Sequence, residues 1–223
     1  MMISEDAELH RAQRAFRSVL DAFARPGMIG RVEPAPDNPA RPAALGGALE
    51  AAVRLFVDQA VSFAVADTEA DEMASYLVSE THARRLPVPD ADFVVVPARA
   101  DARTAFQAVR EACPGTLASP EKGAFLLVGC ARLAEGGTQA ALREVELSGP
   151  GVRGTRRFSV DRVEWLAARD ARADEFPCGV EILLVDGEGR VAAVPRSSRA
   201  RLAQAGADAS AQAGAVGLTG EVR

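Results

Sequence analysis

Two kinds of apolar pattern alternate along this chain: stripes at helical spacing and short unbroken runs. Over residues 4–24, Leu9, Ala12, Phe16, Val19, Leu20 and Phe23 recur at helical spacing. Arg11, Arg14, Arg17 and Asp21 take the opposite side, which predicts an amphipathic helix. Ser4 suits its N-cap and Pro26-Gly27 ends it. A short strand is expected at 28–32. A loop carrying Pro34, Pro36, Pro39 and Pro42 then leads to a second helix at 43–57, with Leu45, Ala48, Leu49, Ala52, Val53 and Phe56 on its apolar side.

Residues 61–65 read as a buried strand. Thr68 and Asp71 stand at capping-box spacing before a helix carrying Met73, Tyr76 and Leu77. The β-branched run 93–96 ends at Pro97. Residues 100–112 return to helix with Phe106 and Val109 inward, and Pro114-Gly115 stops it. Residues 124–128 form another apolar strand. Residues 142–147 alternate weakly, which suits an edge or half-exposed strand. Ser159 is placed to cap a helix containing Val163, Leu166 and Ala167. Runs at 180–185 and 191–194, joined by Asp186-Gly187-Glu188-Gly189, predict a closing hairpin.

Short apolar strands alternating with helices of about a dozen residues argue for a mostly parallel sheet covered on both faces. The expected organisation is one α/β domain over 1–199. The Ala/Gly-rich segment 200–223 lacks an apolar stripe and reads as a weakly ordered tail.

Composition narrows the function classes. The 223 residues are 48% hydrophobic and 26% charged, enough for a full core without disulfides or a structural metal. A net charge of −5 argues against a nucleic-acid binder, although Arg153, Arg156 and Arg157 make a local basic patch. Cys113, Cys130 and Cys178 follow no zinc or redox spacing and read as small buried hydrophobes in a reducing compartment. The acidic N-terminal stretch is unlike a signal peptide, and no apolar run is long enough to span a bilayer, so a soluble cytoplasmic protein is expected.

No self-contained catalytic motif emerges. His10 and His82 belong to different elements, without ligand-spaced neighbours, and read as surface histidines. There is no nucleophile elbow and no phosphate-binding loop of the Walker type. Gly149-Pro150-Gly151 with Gly154 imitates a dinucleotide fingerprint, but Pro150 removes a backbone donor and no strand-to-helix turn is evident. Lys122, the one lysine, raises the possibility of a pyridoxal phosphate enzyme; its Ser119-Pro-Glu-Lys122-Gly setting reads better as a solvated turn. Two polar loops remain. Ser148, Gly149 and Gly151 follow a strand and suit a tight turn or an anion-binding nest. Arg196 beside Ser197 and Ser198 suits phosphate or phosphonate oxygens, or an ordinary polar strand end. A regulatory module binding a phosphorylated metabolite at these loops is a further alternative.

Several stretches, in order, resemble the PhnH family. They are Phe16-Arg-Ser-Val-Leu20, Arg25-Pro-Gly27, Pro120-Glu-Lys-Gly-Ala124, Leu147-Ser-Gly-Pro-Gly-Val152, Phe176-Pro-Cys-Gly-Val-Glu-Ile182 and Ala193-Val-Pro-Arg-Ser197. The similarity runs from about residue 8 to residue 199. It implies a three-layer α/β/α fold similar to the large domain of pyridoxal-phosphate-dependent transferases, but with no cofactor. It implies a homodimer within the carbon–phosphorus lyase core complex, beside the PhnG, PhnI and PhnJ subunits. That assembly converts ATP and methylphosphonate into alpha-D-ribose 1-methylphosphonate 5-triphosphate with release of adenine. A separate radical enzyme later breaks the carbon–phosphorus bond. The resemblance assigns no catalytic residue here. Ser148, Gly149, Gly151, Arg196 and Ser197 stand as anion-binding or interface candidates.

Overall fold

The computed structural model describes residues 5–137 and 139–203. The chain opens with α1 (Glu5–Ala24), β1 (Gly30–Arg31), α2 (Gly46–Val53), β2 (Ser62–Val65), α3 (Ala70–Thr81) and β3 (Arg84–Arg85). It continues through a 3-10 turn (Val88–Asp90) to β4 (Phe93–Val96), α4 (Ala102–Glu111), β5 (Pro114–Thr116), β6 (Ser119–Gly123) and β7 (Phe125–Cys130). The remaining elements are β8 (Leu133–Glu135), β9 (Arg143–Ser148), β10 (Arg156–Val160), α5 (Glu164–Asp170), β11 (Glu181–Asp186), β12 (Arg190–Val194) and β13 (Arg199–Leu202).

A seven-stranded sheet runs in the order β1-β12-β11-β7-β4-β2-β3. Its strands from β11 to β3 are parallel, and β12 and β1 add two antiparallel pairs. Strand residues alternate between two cores, as the pleat dictates. Val94, Val96, Leu126, Val128, Ile182 and Leu184 face one side; Val95, Leu127, Leu183 and Val185 face the other. Helices α1, α2 and α3 cover the second face. The first is covered by α4, α5 and a four-stranded antiparallel sheet, β13-β9-β10-β8. Both faces of the central strands are therefore buried, which explains their unbroken apolar runs.

That antiparallel sheet departs from the sequence reading. The segment expected as an edge or half-exposed strand at 142–147 is β9, which is not an edge but an inner strand between β13 and β10, with Arg143 exposed and Glu144 and Ser148 half-buried. Ser159 pairs within β10 and caps nothing; the last helix starts at Glu164 after Val163, without a side-chain cap. Strand β13 pairs with β9 as far as Leu202, so the chain continues as strand past the boundary expected at residue 199. Residues 204–223, which include nearly all of the expected tail, lie outside the described residues, as does the expected cap Ser4.

Smaller differences have local causes. The capping box expected at Thr68 does not form: the Thr68 hydroxyl donates to Asp67 and the helix starts at Ala70. Asp101 does cap α4, its Oδ1 accepting from the Arg103 and Thr104 amides at 2.9 Å each. The second helix is shorter than expected, because after Val53 the chain continues as tight turns with Leu55 and Phe56 bonded three residues back. In α1 the buried positions are Ala15, Val19 and Ala22, and the large Leu9, Phe16 and Leu20 point outward at 57%, 42% and 52% exposure. Small side chains on the inner stripe let the helix lie close on β12 and β1, and the bulk is left on the outside.

Candidate functional site

In an open α/β sheet, ligands are commonly held where the parallel strands end, near the reversal of strand order. At the ends of β4 and β7 that edge is bridged from within. Arg162, 7% exposed, donates Nη1 to the carbonyls of Pro97, Ala98 and Gly129 at 3.2, 3.3 and 3.2 Å. Its Nη2 donates to Ala100 O at 2.9 Å and to Glu164 at 3.4 Å. The guanidinium ties the ends of β4 and β7 together and satisfies carbonyls that would otherwise be buried without donors.

The loops that carry the family resemblance instead converge on another surface. Arg196 follows β12; its Nε lies 3.1 Å from Glu181 Oε1 and its Nη1 donates to Pro120 O. The Arg196 amide donates to Glu181 Oε2 at 3.0 Å. Gly179 N donates to Pro114 O at 2.8 Å, joining the 176–182 stretch to the β5–β6 hairpin. A side chain at Gly123 would lie 2.3 Å from Gly179 O, so this approach requires glycine.

On the other side of Arg196, the Gly149 position faces Ser197 O and Ser198 Cα. Ser148 pairs with Arg199 across the β9–β13 ladder. Gly151, at φ +79°, faces Ala24 O and Pro26, and Gly27 faces the Arg156 side chain. Five of the six resembling stretches thus form one contiguous cluster. Of the candidates, Ser148 is half-buried, Gly149, Gly151 and Ser197 are exposed, and Arg196 is half-buried and ion-paired. The 149–152 loop is a tight turn closed by Val152 N to Gly149 O at 3.1 Å, and it joins two antiparallel strands. It is not the strand-to-helix turn of a dinucleotide site.

Beside this cluster lies a cleft of about 440 Å³, lined among others by Arg169, Arg172, Cys178, Arg196, Ser198 and Arg199. Arg169 Nη2 donates to the carbonyls of Pro195, Arg196 and Ser198 at 2.8, 3.0 and 2.6 Å and so props the turn that carries Arg196. Burial lowers the pKa of Arg169, and the charges of Glu181 and Asp170 act against that shift. Arg172 is held by Asp174 at 2.5 Å. The cleft was not legible in sequence, because its arginines come from the end of α5, the loop after it, the turn after β12 and the start of β13.

The other sequence candidates stay apart. Lys122 is exposed on β6, in a strand of the small hairpin where a turn was expected. His10 and His82 are exposed, and His82 closes α3 at φ +57°. Cys130 is buried and burial pushes its thiol pKa up; Cys113 and Cys178 are half-buried. Among the described residues, no three His, Cys, Asp or Glu side chains gather as a metal site would need, and no helix is long and apolar enough to cross a membrane.

Fold and cluster together define a mixed α/β protein with a large mixed sheet, five helices among the described residues and an arginine-lined cleft framed by glycine and proline loops. The chain belongs to the family of bacterial phosphonate metabolism proteins, PhnH, whose sequence model matches residues 5–201 of 223. Among curated proteins, none matches the chain. A role in bacterial phosphonate metabolism follows from that membership.

Proposed function

We propose that this chain is an accessory subunit of the carbon–phosphorus lyase core complex. In that role it supports formation of alpha-D-ribose 1-methylphosphonate 5-triphosphate from ATP and methylphosphonate, with release of adenine. It works as a homodimer with PhnG, PhnI and PhnJ in the cytoplasm, and the bond-making chemistry resides on another subunit. The observation that carries this reading is the convergence of the family's loops on one surface. There Arg196 and the glycine turns are engaged in packing the loops together.

Residues through Leu202 act as one folding unit, since β9 and β10 share a core with the central sheet. We read the architecture as three-layer and similar to the large domain of pyridoxal-phosphate-dependent transferases. Lys122 is exposed on the β5–β6 hairpin, where solvent would reach a Schiff base, which favours the accessory role. In this reading Ser148, Gly149, Gly151, Arg196 and Ser197 form an interface surface.

A second patch suits partner contact. Leu9, Phe16 and Leu20 expose bulk on α1, and the Phe16 ring meets Phe56 at 6.2 Å, next to Phe93 and Phe125. Exposed apolar surface of this kind marks interaction sites. Co-expression of a tagged full-length chain with PhnG, PhnI and PhnJ tests the reading. The expected result is co-purification of all four; a tagged chain that elutes without the others removes it.

A further inference from the structure

We propose that the cleft between α5, the loop at 178–180 and the segment 196–200 is a binding site for a phosphoryl or phosphonyl oxyanion, with Ser198 and Arg199 contacting it and Arg169 holding its wall. Four arginines line the cleft, and the carboxylates near them are Asp170, Asp174 and Glu181. Asp174 is committed to Arg172 and Glu181 to Arg196. Among the described residues, Arg169 and Arg199 have no carboxylate in ion-pair reach, in a chain whose net charge is −5. Four arginines against three carboxylates leave the cleft with a small excess of positive charge on an acidic protein, which favours a small anion.

The second observation is a pair of unmet donors at the same place. Ser198 is only 4% exposed, and its hydroxyl has no hydrogen-bond partner. Arg169 Nη1 is also buried without one, although Nη2 of the same guanidinium serves three carbonyls. Buried donors are nearly always paired, so two orphans on one cleft wall point to an acceptor that arrives with a ligand. An oxyanion supplies several acceptor lone pairs in a compact volume, and arginine's fork of N–H groups matches it.

The lining also says what the site does not read. Val180 and Ala200 are its apolar residues, beside a half-buried Cys178, and none of the described residues of the lining is aromatic. Recognition stops at the oxyanion, and the base of a nucleotide contributes nothing. A volume of about 440 Å³ falls within the range of roughly 300–1,000 Å³ usual for small-molecule clefts.

The test is calorimetric titration of the purified full-length chain with inorganic phosphate, methylphosphonate, inorganic triphosphate, ATP and adenosine. The oxyanions are expected to bind, ATP no more tightly than triphosphate, and adenosine not at all. Ser198→Ala and Arg199→Glu should each weaken binding about tenfold, the usual scale for a hydrogen bond or charge contact to an ionised group, with unchanged thermal unfolding. Cys178 provides an independent readout: methylphosphonate should slow its alkylation and leave that of Cys113 unchanged. The proposal is overturned if no oxyanion binds, if both variants bind as the parent does, if ATP binds more tightly than triphosphate, or if Cys178 is not protected. It stands apart from the assembly reading, because a chain that binds oxyanions yet fails to co-purify would keep this site and lose that role.

Discussion

Tyr76 is the sole tyrosine, and the structure places it in a buried ionic network. Glu50, 1% exposed in the middle of α2, accepts from Arg41 Nε at 2.5 Å and from Arg54 Nη1 at 3.3 Å. The Tyr76 hydroxyl donates to Glu50 Oε1 at 2.8 Å and accepts from Asn38 Nδ2 at 3.1 Å. Burial and the adjoining carboxylate both oppose a phenolate, and they push the Tyr76 pKa from 10.0 up to about 12. In the folded state the phenol keeps its proton between those values, whereas the unfolded chain loses it. The resulting stability is fully present below pH 10 and disappears as pH rises through about 12. At about 1.4 kcal/mol per pH unit, the difference amounts to roughly 3 kcal/mol.

With one tyrosine, near-ultraviolet phenolate absorbance reports this group alone. A rapid pH jump on the folded protein should give a midpoint near 12, against about 10 for the same chain in urea. Tyr76→Phe should flatten the alkaline loss of stability. It should also cost about 1.5–3 kcal/mol near neutral pH, because a buried carboxylate loses a donor. A folded-state midpoint equal to that in urea would show that Glu50 does not face the phenol as described.

Two further outcomes probe the loop cluster and the sheet beside it. Gly151→Ala forces a side chain into φ +79° and within 2.3 Å of Ala24 O, so thermal unfolding should show a loss of at least about 1–3 kcal/mol as the end of α1 is displaced; an unchanged melting temperature would refute this packing. Glu146, 7% exposed, bonds Arg201 at 2.5 and 3.0 Å and Arg157 at 3.1 Å, and these contacts hold its pKa below the usual 4.5. Its contribution is present above that value and lost as pH falls through the lower folded one, so Glu146→Gln should flatten the acid limb of a urea-unfolding profile. An acid limb as steep as the parent's would count against the β9–β13 tether.

Much of the central sheet could be read from the chain because its signals are local. The run at 93–96, the strand at 62–65 and the hairpin through Asp186 and Gly189 are set by β-branched residues and turn chemistry a few positions apart. Periodicity found α1 and, in Val19 and Phe23, part of its inner side, but not the rest. The stripe containing Leu9, Phe16 and Leu20 is more hydrophobic than the alanine stripe that the fold buries, and closeness of approach rather than hydrophobicity decided between them. The second sheet is legible only in part: weak alternation marks a strand at 142–147, whereas Ser159 joins β10 by pairing with β9 and β8, and the inner place of β9 depends on β13, remote in sequence.

The same division holds for function. The ordered loops were legible in one dimension, since glycine and proline declare the backbone shapes they allow. Only the tertiary structure decided that those loops meet, that Arg196 is spent on Glu181 and Pro120, and that Ser198 and Arg169 are left with unmet donors in a shared cleft. Pairing of charges and burial of hydroxyls depend on distances between segments remote in sequence. A linear pattern carries no such distances, and folding supplies them.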